Sequence, residues 1–372
     1  MGTFSFLHRK NESKNEVDIS ESEMKIHHTV KDEQRKGIAD AQGLYPADLI
    51  LLSLAHCYRV TEKEYPRYLS CSYGITNPNK ELKKLEGSGF LRQSTAKECL
   101  PMLKVQDLKA IATSVQIQSK KTKAALLEEL SALSEIQLDK YVHEKYWVLT
   151  EKGQKELDCN KYIQFFLEKH SYALEEIGID LWVVNEAIIQ NPKVRYKDEI
   201  WHLLNKKENE ISIKIQTEPY SGTSLTNLYC NIYRAMALFV EEEGQYINAA
   251  DYYFQYIYKW VNIHCGLNFF TRYKYAQNQK EKAEEISRFY EDIKLYPYQI
   301  ADIIRLKAEM EIDDIKLQEM LKTSFARTKD VGIFSYEELA EFIRLELNEK
   351  NEESQKMCSA LAKAAIRQTS GI

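Results

Sequence analysis

The chain has 372 residues, of which 44% are hydrophobic and 29% charged, the balance of an ordinary globular protein long enough for two or three domains. A net charge of -5, from 51 Lys and Arg against 56 Asp and Glu, argues against a protein that coats nucleic acid with its whole surface, because such binding works by neutralising phosphates. With 13 Gly and 7 Pro and long runs such as Gln279 to Glu285, a mostly α protein is expected.

No apolar run approaches the roughly 18 residues needed to cross a bilayer, and no signal-peptide core opens the chain, so the reading is no membrane and a cytoplasmic location. The seven cysteines, at 57, 71, 99, 159, 230, 265 and 358, include no Cys-x-x-Cys pair and read as reduced and mostly buried.

Residues 1–40 read as a polar, flexible tail, rich in Ser, Glu and Lys. A basic arm that grips DNA is the alternative there, against which the acids nearly balance the bases. Pro46 then sits at a first-turn position before the apolar run Leu49 to Leu54, which predicts a buried first helix. A second short helix is expected around Pro66 to Tyr73, ending at Gly74. Asn77-Pro78 supplies a cap and a first-turn proline for a third helix over Asn77 to Glu86, with Leu82 and Leu85 on one face and Gly87-Ser88-Gly89 as its stop. Phe90 to Gln93 and Tyr146 to Leu149 are predicted to be two short strands, closed by Thr150-Glu151-Lys152-Gly153 at the start of a further helix.

This order, with the wording Leu-x-x-Leu-Glu-x-x-Gly-Phe-Leu and later Tyr-x-Val-Leu-Thr-x-x-Gly, resembles winged helix-turn-helix proteins over roughly 70 residues. The resemblance implies a small two-strand wing and a recognition helix that enters the major groove of duplex DNA. Lys80, Lys83 and Lys84 lie off the Leu82/Leu85 face, so they and Asn79 are the candidates for phosphates and base edges. The competing reading makes the same lysines a solvated helix face and the module a protein contact.

Between the predicted strands lies a segment, at about 98–135, that reads as an inserted helical hairpin: Pro101 to Ala112, then Ser119 to Leu130. It resembles a SAP motif, a helix-turn-helix hairpin associated with duplex DNA. The matching positions are Leu103, Val105, Leu108, Lys109 and Ile111, then Ile117 in the turn, then Lys123, Leu126, Leu127 and Leu130. Gln116 and Lys121 stand where the family usually has glycine, so either the turn follows another backbone path or the motif is degenerate. Lys104, Lys120, Lys121 and Lys123 are the candidate phosphate contacts, the last three near a helix N-terminus. The bland alternative is a hairpin that merely buries Leu108, Ile111, Leu126 and Leu130. Local charge favours DNA: five lysines face three acids over 103–130, and seven basic residues face four acids over 59–92.

Residues 41–170 thus form the expected winged-helix domain and 171–372 an α-helical one. In the latter, Gly244 to Tyr253 resembles the middle of one tetratricopeptide repeat, within a helix pair near 227–262 where small Ala249 lets two helices approach and Tyr253 packs between them. The surrounding aromatics read first as core and second as the lining of a groove for a peptide or for bases.

No phosphate loop, dinucleotide-binding turn, zinc-protease motif or nucleophile elbow is present, and the eight histidines are dispersed. The sequence therefore predicts a non-enzymatic DNA-binding protein with no cofactor and no metal, of a kind that suits a bacterial or phage accessory factor. Its C-terminal domain is expected to form a homodimer or to recruit a protein or peptide partner. The rival is an interaction scaffold, or a peptide-responsive regulator, acting through that C-terminal domain.

Overall fold

A computed structural model describes residues 37–118, 122–168, 172–217, 223–328 and 333–370. Most of the expected tail, and Lys120 and Lys121, lie outside the described residues. The molecule is mostly helical, and its chain divides into two compact units, Met1–Ile163 and Gln164–Ile372. No described helix is long and apolar enough to cross a membrane.

In the first unit, α1 (Pro46–Leu54) begins at Pro46, and the Asp48 carboxylate accepts the Tyr45 N–H at 3.0 Å, satisfying a donor of the helix entrance. Its Leu49, Ile50, Leu51 and Leu52 are fully buried, each contributing about 1.5–3 kcal/mol by leaving water. Helix α2 (Arg67–Cys71) is a single turn that closes at Gly74. Helix α3 (Pro78–Gly87) starts where Asn77 Oδ1 accepts the Lys80 N–H at 3.1 Å, and Pro78 occupies the position whose N–H is not needed. It ends at Gly89, whose φ of 77° lets the Phe90 N–H donate back to the Leu85 carbonyl at 3.0 Å.

Strand β1 (Leu91–Gln93) runs antiparallel to β2 (Trp147–Leu149), in the register Leu91 to Leu149, Arg92 to Val148 and Gln93 to Trp147. A segment the sequence did not mark as extended borders β2: Arg59 bridges Tyr146, the Val60 N–H donates to Lys145 O at 2.8 Å, and the Trp147 N–H to Tyr58 O at 3.3 Å.

Four short helices separate the strands: α4 (Ala96–Cys99), α5 (Val105–Ser114), α6 (Lys123–Ser131) and α7 (Glu135–Leu138). They enclose a core of their own, with Leu100, Leu108, Ala112, Leu126, Leu130 and Leu138 fully buried. The inserted unit is thus wider than the predicted 98–135, because α4 and α7 form its two legs. Glu135 of α7 accepts the Ala96 and Lys97 N–H groups at the start of α4, and Ser94 N–H donates to Tyr146 O at 2.8 Å where the legs meet.

Other boundaries also differ. The first long helix begins at Val105 rather than Pro101, since Leu100–Met102 forms a 3-10 turn and Lys104 is extended. The second begins at Lys123, with the Thr122 hydroxyl accepting the Ala125 N–H. Val105, the first residue of α5, is 39% exposed, whereas Leu108 and Ala112 further along are fully buried. After β2, α8 (Glu151–Cys159) is capped by Thr150, whose hydroxyl accepts the Gly153 N–H at 3.1 Å. Gly153 is required by contact: a Cβ there would lie 2.2 Å from the Phe90 carbonyl oxygen.

Helix α9 (Tyr162–Leu167) spans the unit boundary. The second unit continues through α10 (Tyr172–Glu176), α11 (Leu181–Gln190), α12 (Tyr196–Thr217), α13 (Thr223–Glu242), α14 (Tyr246–Lys259), α15 (Gly266–Tyr275), α16 (Gln279–Asp292), α17 (Pro297–Glu309), α18 (Asp314–Arg327), α19 (Tyr336–Leu347) and α20 (Asn351–Ser370). Helices α13 and α14 form a tight antiparallel hairpin, with Ala249 and Ala250 fully buried at the approach. Tyr253, Phe254, Tyr256 and Tyr258 are core residues, and the Tyr253 hydroxyl donates to Asp302 of α17 at 2.9 Å. A π-helical stretch, Trp260–Cys265, joins α14 to α15.

No disulfide joins the seven cysteines, and Cys57, Cys71 and Cys159 are exposed rather than buried, each being the last residue of a helical turn.

Candidate nucleic-acid interface

Helix α3 turns Pro78, Leu82 and Leu85 inward and leaves Lys80, Lys83 and Lys84 exposed. The three lysines differ in their surroundings. Lys80 and Lys83 form no ion pair among the described residues, whereas Lys84 is drawn toward Asp48 at 3.7 Å and Glu81 at 3.8 Å. Asn79 is tied down where Lys80 and Lys83 are not. Its amide donates to the Glu62 carbonyl at 2.6 Å and its oxygen accepts the Tyr65 hydroxyl at 2.9 Å, so it braces the loop ahead of α2. Burial, with Glu62 nearby, pushes the Tyr65 phenol up, which keeps it the donor in that bond.

The same loop brings forward two cations that the sequence reading counted but did not assign. Lys63 and Arg67 are exposed, form no ion pair among the described residues, and line with Asn77 and Asn79 a cleft of ≈ 250 Å³ at the start of α3. Of the seven basic residues over 59–92, Arg59 is held by Glu144 at 2.8 Å, Arg92 by Glu98 at 2.6 Å, and Lys84 as described. Lys63, Arg67, Lys80 and Lys83 are left to face water. The Arg92 guanidinium grips Glu98 with two bonds and holds its carboxyl well below the usual range, at about 2.

On the inserted unit, Lys104 is exposed at the entrance of α5, and Lys123 opens α6 with its ammonium donating to Pro101 O at 2.9 Å. That bond places the start of α6 against the turn that leads into Lys104, so both cations share one end of the hairpin. Of the two positions read as lacking an expected glycine, Lys121 lies outside the described residues and Gln116 is seen. Gln116 has a φ of 64°, and behind it the Ile117 N–H donates to Ala112 O at 2.8 Å while its own N–H donates to Thr113 O at 3.1 Å. A non-glycine residue therefore adopts the left-handed C-terminal turn, at a cost of about 1 kcal/mol.

Among the described residues, no three His, Cys, Asp or Glu side chains gather as a metal site. No protein-family model, no curated protein and no solved structure matches the chain.

Proposed function

We propose that the first unit is a duplex-DNA-binding module of winged-helix type, with α3 as its recognition helix and the inserted, SAP-like hairpin as a second phosphate contact. One observation carries the reading: in an acidic chain whose other basic residues of this segment are matched by acids, Lys63, Arg67, Lys80 and Lys83 stay unmatched around the exposed side and entrance of α3. Unmatched cations are what counterion release requires, and a helix N-terminus beside them adds favourable dipoles. Lys104 and Lys123, with Lys120 and Lys121 just before Lys123 in the sequence, supply the second contact. Two modest surfaces in one unit gain from effective concentration, which offsets the net charge of -5.

The test is duplex binding by fluorescence anisotropy across a salt series. Four phosphate contacts at α3 predict a log–log salt slope of about -3.6, and Lys80→Ala with Lys83→Ala should flatten it by about 1.8. A combined change of Lys104, Lys120, Lys121 and Lys123 to Ala should flatten it separately. Absence of binding at low salt, or a slope that neither set alters, would overturn the reading.

A second reading, recruitment of a protein partner by the second unit, is favoured by an exposed apolar row on α17, formed by Pro297, Ala301, Ile304 and Ala308. Under the leading proposal this row serves dimerisation or recruitment beside DNA binding. Under the scaffold reading it acts alone, and Ile304→Asp abolishes partner capture while DNA is never bound.

A further inference from the structure

A cleft of ≈ 590 Å³ opens between α1, the end of α2 and α3, in the size range of about 300–1,000 Å³ that takes small organic ligands. Leu51 forms its apolar floor, and Tyr45 and Tyr73 lend aromatic walls. Its charged groups are two carboxylates, Asp48 and Glu81, and a single ammonium, Lys84. Asp48 is 5% exposed and already serves the entrance of α1 through the Tyr45 N–H, so its charge is fixed in place. Lys84 answers both carboxylates only at long range, 3.7 and 3.8 Å, and its side chain is 57% exposed. At that length, and with the Lys84 end in water, the contact with partly exposed Glu81 contributes little.

We propose that this cleft binds an organic cation, which takes over Asp48 and Glu81 and releases Lys84 to the DNA-facing side of α3. The charge balance of the lining is one negative in excess, and aromatic faces next to carboxylates suit an alkylated ammonium better than a hydrated metal ion or an anion. The coupling follows from helix geometry. Lys84 stands four residues after Lys80, hence beside it on the helix surface, so a Lys84 freed from the cleft joins the cations that face phosphate. The ligand therefore strengthens DNA binding. This part rests on the DNA-binding reading above, while ligand binding itself does not.

The experiment titrates benzyltrimethylammonium into the full chain by calorimetry at fixed ionic strength, with benzyl alcohol as the uncharged comparison. Glu81→Gln is expected to weaken binding about fivefold and Lys84→Met, which removes the competing ammonium, to tighten it about fivefold, each being near 1 kcal/mol. Glu81 and Lys84 are partly exposed, so both variants are expected to fold, with circular dichroism as the check. In the anisotropy assay the cation should steepen the native salt slope by about 0.9 and leave that of Lys84→Met unchanged. Equal binding of benzyl alcohol, or affinities that neither variant shifts, overturns the proposal. Cation binding that follows both variants in a chain that never binds DNA upholds the cleft's ligand class and overturns the DNA reading instead.

Discussion

Two helical hairpins in this chain solve the same packing problem with different materials. The α5–α6 hairpin of the inserted unit is closed by Leu, Ile and Ala and keeps its lysines on the outside. The α13–α14 hairpin of the second unit is closed by tyrosines and phenylalanines and folds cations inward. There Lys259, 3% exposed, donates to the Tyr229 hydroxyl at 3.2 Å and lies 4.5 Å from the Tyr233 ring centre. Arg234 is held over Tyr172 and Tyr298. An aliphatic core has nothing to offer a charge, so its cations remain available to a ligand. An aromatic core offers ring faces and hydroxyls, so its cations become structure. A positive residue in this protein is informative about binding only after its neighbours are known.

The contrast is sharpest in cavity-forming substitutions. Tyr253→Ala removes a buried ring and the hydroxyl that donates to Asp302, which keeps its pair with Arg305, and should cost about 4 kcal/mol in urea unfolding followed on the second unit. Leu126→Ala, in the aliphatic hairpin, should cost about 3 kcal/mol and reduce protection of the inserted amides in hydrogen exchange, with less effect on the second unit. An equal or larger loss at Leu126 would break the comparison.

At the root of the insertion, Gly153→Ala drives a methyl group into the Phe90 carbonyl and should lower stability by about 2 kcal/mol, although the same change in an open helix would raise it. Gln116→Gly should do the reverse, raising stability by about 0.5–1 kcal/mol because glycine takes the left-handed turn without strain. A smaller effect concerns pH. Glu98 is depressed in the folded chain, so its contribution is present above its unfolded value near pH 4.5 and is lost as pH falls through about 2. Glu98→Gln should flatten the melting temperature's pH dependence within that window, modestly, since the pair is about two-fifths exposed.

What was legible in the sequence was what short-range chemistry decides. The Asn77-Pro78 start, the Gly89 stop, the Thr150 cap and the two strands are each specified by residues within a turn or two of themselves. The i, i+3 spacing of Leu82 and Leu85 likewise sufficed to say which side of α3 faces inward. The rest depends on residues far apart in the chain. Asp48 meets Lys84 across 36 positions, Arg59 meets Glu144 across 85, and no local pattern announces either pairing. The spacing marks Asn79 as a candidate for base edges. Its commitment to Glu62 and Tyr65 arises only when the preceding loop folds back. The extended segment at 58–60 was hidden for the same reason, since its partner arrives after the whole insertion has been threaded.

The closure of that insertion has a consequence for how such a chain is assembled. Ser94 and Tyr146 exchange two bonds, Ser94 N–H to Tyr146 O at 2.8 Å and Tyr146 N–H to Ser94 Oγ at 2.9 Å, so the chain leaves the host and re-enters it at one point. Beyond this closure, residues 95–145 touch the host through the Arg59–Glu144 and Arg92–Glu98 pairs and the Val60 N–H to Lys145 O bond, so a tight turn put in their place should have to make up only those few contacts.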